Sequence, residues 1–197
     1  MIPPSLEARY NRMALTPSSI NEHMPLLRDL ASHHPTVAEF GVDIGQSTTA
    51  FLMGQPPLLL SYDLGWRPEL NEVLVGCAYH YQIGGDGPKG HRAKIGETVW
   101  NFTYDDTRTL TLPQPVDLLL IDSAHYHAQT HAELTRHHSM VRSHILLHDT
   151  VSFGTHGEGG EPGILGAIED FQRSHPEWSI EAHYLTNNGL MILRRTP

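Results

Sequence analysis

The chain has 197 residues, and 13 lysines and arginines against 22 aspartates and glutamates leave a formal net charge of −9 with histidine neutral. This length is ample for one hydrophobic core, and the single Cys77 excludes an internal disulfide. The acidic balance argues against a nucleic-acid partner, because that affinity comes mainly from lysine and arginine. The sequence also lacks a signal-peptide pattern and an apolar run of about 20 residues. We therefore expect a cytoplasmic protein with a small-molecule partner, no nucleic acid and no membrane.

Fifteen histidines are unusual in a chain of this size. Protonating all of them would take the formal net charge from −9 to +6, so its sign depends on a side chain that titrates near neutrality. The pairs at 33–34 and 137–138 fall near predicted helix ends, where the helix dipole favours a protonated ring and we expect surface capping. His127 and His131 are one turn apart on a predicted helix and could bind a metal, but the sequence offers no third ligand beside them, which favours a solvated face.

The first predicted element is a helical lead-in. Ile20, Met24, Leu27 and Leu30 have helical spacing, which predicts helix over residues 5–34 with a cap at 16–19. We expect the chain to divide into this lead-in, residues 1–34, and one domain, residues 35–197. The lead-in either covers the active site or forms a dimer contact, and the second alternative would make the protein a homo-oligomer.

Strands that alternate with helices follow the lead-in. Predicted strands occupy 36–40, 58–62, 98–103, 116–121 and 145–147, and predicted helices occupy 47–53, 69–78, 128–138 and 164–173. This alternation predicts an α/β fold with a doubly wound parallel sheet. A glycine-rich loop is predicted at 84–90. Asn188-Gly189, between strand-like runs at 179–185 and 190–193, predicts a C-terminal antiparallel hairpin.

Acidic side chains and glycines follow the predicted strands, at the sheet edge where open parallel sheets bind ligands. Gly41 and Gly45 are four residues apart, so this turn is not the Gly-x-Gly-x-x-Gly of dinucleotide enzymes, and a purely structural turn fits it equally well. Asp63 closes the second strand 18 residues beyond Gly45, where a carboxylate accepts hydrogen bonds from ribose hydroxyls. Together these two features favour a nucleoside ligand.

Residues 39–48, Glu-Phe-Gly-Val-Asp-Ile-Gly-Gln-Ser-Thr, resemble the S-adenosylmethionine motif of class I methyltransferases. The segments 121–125 and 147–150 are similar to the branch that contains cephalosporin-hydroxylase-like and macrolide-sugar O-methyltransferases. The resemblance covers residues 35–195 and implies a Rossmann-like, mostly parallel sheet of seven strands that ends in the antiparallel hairpin. It implies S-adenosylmethionine as cofactor, with these binding residues: Glu39, Gly41, Asp43, Gly45, Ser47, Asp63, Asp105, Asp106 and Asp122.

The same resemblance implies metal-assisted O-methyl transfer. Asp122 and Asp149 would bind a divalent cation, and His125 would remove the acceptor's hydroxyl proton. Two carboxylates suit Mg²⁺. His148 stands where related enzymes often have a carboxylate, and an imidazole ligand would favour Mn²⁺ or Zn²⁺. Alternatively, Asp122 caps the next turn and His148 points away to hydrogen-bond a backbone carbonyl.

The glycine-rich segment 151–163 follows Asp149 directly and is either a mobile lid over the acceptor or a disordered loop. His156 and Glu158 could reach an acceptor from it.

The expected function is an enzyme, an S-adenosylmethionine-dependent methyltransferase acting on an oxygen of a small hydroxylated acceptor such as a sugar or natural product. The alternatives are a non-catalytic nucleoside-cofactor-binding module and a nicotinamide-dependent oxidoreductase, which the missing dinucleotide motif disfavours.

Overall fold

The computed structural model describes residues 1–84 and 89–196, and within them the chain forms one mixed sheet with helices on both faces. The strands are β1 Thr36–Phe40, β2 Leu58–Asp63, β3 Tyr79–Ile83, β4 Gly90–Ile95, β5 Thr98–Tyr104, β6 Val116–Ile121, β7 Val141–His148, β8 Trp178–Tyr184 and β9 Leu190–Arg195. The helices are α1 Pro4–Leu15, α2 Met24–His33, α3 Gln46–Gly54, α4 His127–His137 and α5 Ile164–Ser174. None of these helices is long and apolar enough to cross a membrane.

The strand order is β3-β4-β5-β2-β1-β6-β7-β9-β8. The five central strands, from β5 to β7, are parallel. The C-terminal hairpin of β8 and β9 is antiparallel, as predicted, and β9 pairs with β7. Because parallel strands end at one edge, the loops after β1, β2, β5, β6 and β7 meet there.

The expected count of seven strands is wrong, because β3 and β4 add an antiparallel hairpin beside β5. All five residues of β3 are exposed, so the strand has no buried face to create the apolar alternation that sequence patterns detect. The helix predicted over 69–78 is also wrong: only a short 3₁₀ helix, Pro68–Glu72, and turns occupy this segment. Residues 85–88 of the predicted glycine loop lie outside the described residues.

Two apolar layers cover the central strands. One contains Val37 and Leu59 of the sheet with α1, α2 and α3, and the other contains Ala38 and Leu119 with α4 and α5. Adjacent residues of β1 thus pack on opposite faces, as strand geometry requires. Helices therefore pack on both faces of the sheet, which positions the loops at its edge.

The lead-in is two helices rather than one, because α1 ends at Leu15 and α2 begins at Met24. Thr16 precedes Pro17, and a residue before proline is disfavoured in the helical region. Both helices contact α3 and contribute to the same apolar layer. The division at residue 34 stays a prediction.

Candidate active site

A cavity of about 550 Å³ opens at the edge of the sheet where the parallel strands end. Most of the predicted site residues line it: Gly41, Asp43, Asp63, Asp105, Asp106, Asp122, His125 and Asp149. Glu39, Gly45, Ser47 and His148 are not part of that lining. The cavity thus joins the predicted nucleoside-binding residues to the predicted metal-binding residues in one space.

The turn after β1 packs directly on the loop after β6. Gly41 has φ +84°, and a Cβ at this position would lie 1.9 Å from the carbonyl oxygen of Asp122. Only glycine fits this backbone conformation and this close approach. Gly45, with φ +81°, ends the turn immediately before α3. Gly41 therefore sets the spacing between the two halves of the cavity.

Glu39 lies behind this turn and is fully buried. Its carboxylate accepts hydrogen bonds from Ser47 at 2.7 Å, Thr48 at 2.6 Å and Ser61 at 2.5 Å. Burial raises the pKa of Glu39 to about 7, although the three hydroxyl donors act in the opposite direction. Glu39 and Ser47, both predicted to bind the cofactor, are hydrogen-bonded to each other and connect β1 to α3.

Arg9 supports the same turn from outside the cavity, and sequence reasoning missed it. Its guanidinium donates to the carbonyl oxygen of Ile44 at 2.5 Å, to Thr49 at 3.1 Å and to Glu72 at 2.8 Å. An arginine on the buried face of α1 is the only sequence signal for this role, and it does not identify the partners.

The Asp63 carboxylate accepts hydrogen bonds from backbone N–H groups of the turn after β1. Its Oδ2 accepts from Val42 at 2.8 Å and Asp43 at 3.1 Å, and its Oδ1 accepts from Gly65 at 3.0 Å. A carboxylate offers about four acceptor positions, so one remains for a ligand. The sequence therefore located this acid correctly at the cavity, where it also orders the turn.

Further charged side chains line the cavity. Arg108 pairs with Asp106 at 2.7 Å, and its hydrogen bonds lower the pKa of that carboxyl group. Arg67 pairs with Asp43 at 3.2 Å. Asp105 accepts the backbone N–H of Asp106 at 2.8 Å. Carboxylates outnumber guanidinium groups in the lining, which makes the cavity favourable for a cationic or hydroxyl-rich ligand.

A second buried carboxylate lies behind the residues that line the cavity. Glu133 on α4 accepts hydrogen bonds from Thr107, from Ser123 at 2.7 Å and from Gln129 at 2.7 Å. Burial raises its pKa, and these three donors oppose the shift. Glu133 thus holds three side chains that line the cavity. Sequence reasoning missed Glu133. The available signal was a charged residue on the buried face of a helix, one turn after Gln129.

Asp122, His148 and Asp149 converge where β6 and β7 end. One potential ligand atom from each lies within 4.8 Å of the others. The Nε2 of His148 donates to the carbonyl oxygen of Ser19 at 3.0 Å, and its Nδ1 lies 3.0 Å from Asp122. The Nε2 atom thus makes the backbone hydrogen bond that one sequence alternative expected, while Nδ1 faces Asp122, and metal binding by His148 stays a prediction. Metal-binding histidines usually have their second nitrogen held in this way.

The fit to a cation rests on two further observations. The Oδ1 atom of Asp149 is buried without a hydrogen-bond partner, and the Asp149 backbone has φ +61°. An orphaned buried carboxylate oxygen is costly unless a cation or donor meets it. Two carboxylates and one imidazole suit Mn²⁺ or Zn²⁺ better than Mg²⁺. The donor set thus fits a divalent cation.

His125 faces three carboxylates. Its Nε2 lies 2.7 Å from Asp149 and 3.3 Å from Asp122, and its Nδ1 lies 2.6 Å from Glu158. Burial lowers the pKa of His125, but hydrogen bonds to the three carboxylates outweigh it and raise the pKa to about 11. The ring is then a cation at neutral pH, and a general base must be neutral. The predicted role of His125 therefore requires another positive charge beside Asp122 and Asp149.

The segment predicted to be a lid, residues 151–163, folds as successive turns against the loop after β6. Glu158 donates its backbone N–H to the carbonyl oxygen of His125 at 3.0 Å, and His127 donates to Pro162 at 2.8 Å. Phe153 stacks on the His125 ring with centroids 4.8 Å apart. The segment thus supplies Glu158 to the cavity wall, whereas His127 pairs with Asp170 outside it.

The chain matches no protein-family model and no curated protein sequence. Solved structures do match. Methyltransferase PaMTH1 of Podospora anserina, bound to SAH, is 14% identical with a TM-score of 0.63, covering 100% of this chain and 89% of that one. The fold is that of the class I methyltransferases.

Two further structures agree with this methyltransferase fold. The O-methyltransferase TomG of Streptomyces achromogenes, involved in tomaymycin synthesis and in complex with SAM, is 15% identical with a TM-score of 0.60, and the match covers 100% of this chain and 92% of TomG. An O-methyltransferase of Bacillus cereus in complex with SAH is 12% identical with a TM-score of 0.60 and the same coverage. At these identities the likeness is one of fold.

Proposed function

We propose that the protein transfers a methyl group from S-adenosylmethionine to an oxygen of a small hydroxylated acceptor. The observation that carries the proposal is the single cavity that connects the Gly41 turn and Asp63 with Asp122, His125 and Asp149. A cofactor at the first group and an acceptor at the second would be held side by side. Such alignment supplies much of the barrier lowering in a displacement reaction.

The cofactor half of the cavity offers complementary chemistry. Asp63 retains an acceptor position for a ribose hydroxyl, and Asp105 and Asp106 would face the adenine side. The acidic lining favours the positive sulfonium of S-adenosylmethionine. Gly41 and Asp43 would bring the backbone close to the ligand, while Glu39, Gly45 and Ser47 would act indirectly by holding the turn in shape.

In the acceptor half, Asp122, His148 and Asp149 would hold a divalent cation. Once bound, the cation would lower the pKa of a coordinated acceptor hydroxyl. It would also balance the two carboxylates that otherwise keep His125 protonated. With Glu158 accepting its Nδ1–H, the neutral His125 ring would present Nε2 to the hydroxyl proton and accept it as the methyl group is transferred.

A second candidate is a nucleoside-cofactor-binding module without catalysis. It is favoured by the three carboxylates around His125, because a ring held as a cation leaves the cavity without this base. The module would bind the same cofactor and show no turnover.

Calorimetry and a turnover assay separate these functions. Titration with S-adenosylhomocysteine and with NAD should show binding of the first only, and tight binding of NAD alone would refute the proposal. A panel of hydroxylated acceptors with Mn²⁺ should then yield S-adenosylhomocysteine from S-adenosylmethionine. We expect H125Q to keep the affinity for S-adenosylhomocysteine and to lose about 100-fold in rate. The matched control H127Q, which also removes a carboxylate-paired histidine, should match the wild type. Binding without turnover on any acceptor would favour the module.

A further inference from the structure

Two histidines far apart in the sequence face each other beside the sheet. His34 follows the end of α2, and His144 lies on β7. The Nε2 of His34 is 2.9 Å from the Nδ1 of His144, with the rings nearly perpendicular at 88°. Both side chains are partly buried, and neither lines the cavity described above.

In each ring, the nitrogen that faces away from the partner histidine lies against a hydrogen-bond acceptor. The Nδ1 of His34 lies 2.7 Å from the carbonyl oxygen of Leu30, which can only accept. The Nε2 of His144 lies 2.9 Å from the carboxylate of Glu181 on β8, which also accepts. In neutral rings these two contacts place the hydrogens away from the gap. The two facing nitrogens then both present lone pairs, which repel each other at 2.9 Å.

We propose that His34 and His144 form a binding site for a divalent transition-metal ion such as Zn²⁺, held by their facing nitrogens. With an ion about 2.05 Å from each nitrogen, the present nitrogen–nitrogen distance gives a nitrogen–ion–nitrogen angle of about 90°. Lengthening that distance to about 3.3 Å would give a tetrahedral angle. The backbone carbonyl and the carboxylate behind the rings are the partners that metal-binding histidines usually have. Remaining positions would be filled by water or by the hydroxyl of Ser143, which lies 2.8 Å from the Nδ1 of His144.

The surrounding charge is compatible with such an ion. Glu181 contributes a negative charge, and Arg194 lies 3.5 Å from the other oxygen of that carboxylate and offsets part of it. The exposed fraction of the His144 side chain is 14%, so solvent reaches the site. A bound ion would link the end of α2 to β7. Neither histidine lines the cavity, so this proposal does not depend on the proposed methyl transfer.

Zn²⁺ titration of the full-length protein tests this site. We expect H34Q and H144Q each to bind one equivalent of Zn²⁺ fewer than the wild type, or to bind that equivalent at least tenfold more weakly. The matched control is H33Q, because His33 is exposed and lies at the same helix end, with its Nδ1 2.9 Å from the carbonyl oxygen of Asp29. It should retain every equivalent.

Ring nitrogen-15 NMR of the wild type provides a second measurement that needs no variant. At one to two equivalents of Zn²⁺, the Nε2 of His34 and the Nδ1 of His144 should shift together to metal-bound values. If these two nitrogens keep their metal-free shifts while other histidines respond, or if H33Q loses the same equivalent, the proposal is overturned. A single proton shared by the rings and not displaced by Zn²⁺ would also overturn it.

Discussion

Replacing Glu39 with glutamine tests how the turn between β1 and α3 is held. Burial raises the pKa of this carboxyl group from 4.5 to about 7, so between these values the folded protein retains a proton that the unfolded chain releases. The contribution of Glu39 to the free energy of unfolding therefore falls as pH rises through this window and levels off above about pH 7. At about 1.4 kcal/mol per pH unit, Glu39 accounts for a loss of about 3 kcal/mol.

The assay is urea unfolding of the wild type and E39Q at pH 4.5 to 8. Subtracting the two curves removes the other titrating groups, and the difference should change by about 3 kcal/mol in favour of E39Q as pH rises. The control is E7Q, since Glu7 is exposed on α1. A difference between wild type and E39Q that stays constant over this range would refute the account of Glu39 as a buried carboxylate that binds a proton.

Three further predictions concern the cavity. Gly41→Ala should lower the free energy of unfolding by about 3 kcal/mol because its Cβ meets a backbone oxygen, whereas Gly65→Ala, with no atom within 4 Å of the new Cβ, should be nearly neutral in the same urea titration. Asp149→Asn should weaken Mn²⁺ binding in calorimetry by about 100-fold. Asp63→Asn should weaken S-adenosylhomocysteine binding by about 10- to 100-fold, the value of a hydrogen bond to a charged group. Asp170→Asn, which removes a histidine-paired carboxylate outside the cavity, should change neither affinity, and equal losses in this control would contradict both predictions.

The positions of Asp63, Asp122 and Asp149 could be predicted because Asp63 ends a buried strand and the other two directly follow one, and the apolar runs of these strands are plain in the sequence. Parallel strands end at a common edge, so the acids had to meet there. The antiparallel C-terminal hairpin was predictable for a similarly local reason, the Asn-Gly between two strand-like runs. These predictions needed only strand polarity and turn chemistry.

The remaining features depend on contacts between distant segments. The carbonyl oxygen of Ser19 holds His148 across 129 positions, and a backbone atom carries no residue signature. Arg9 reaches the turn between β1 and α3 from α1. The pairing of His34 with His144 spans 110 positions and was masked by an expectation of simple helix capping. Each of these arises from packing of the lead-in helices, which periodicity alone does not locate.

A crystal structure with S-adenosylhomocysteine and Mn²⁺ tests the central claim most directly. The account predicts nucleoside density in the cavity with its ribose at Asp63, and a metal peak among Asp122, His148 and Asp149. The sulfur should lie on the side of the cavity that faces His125. A nucleoside bound elsewhere, or a cavity that stays empty at saturating ligand, would contradict the assignment of this cavity as a methyl-transfer site.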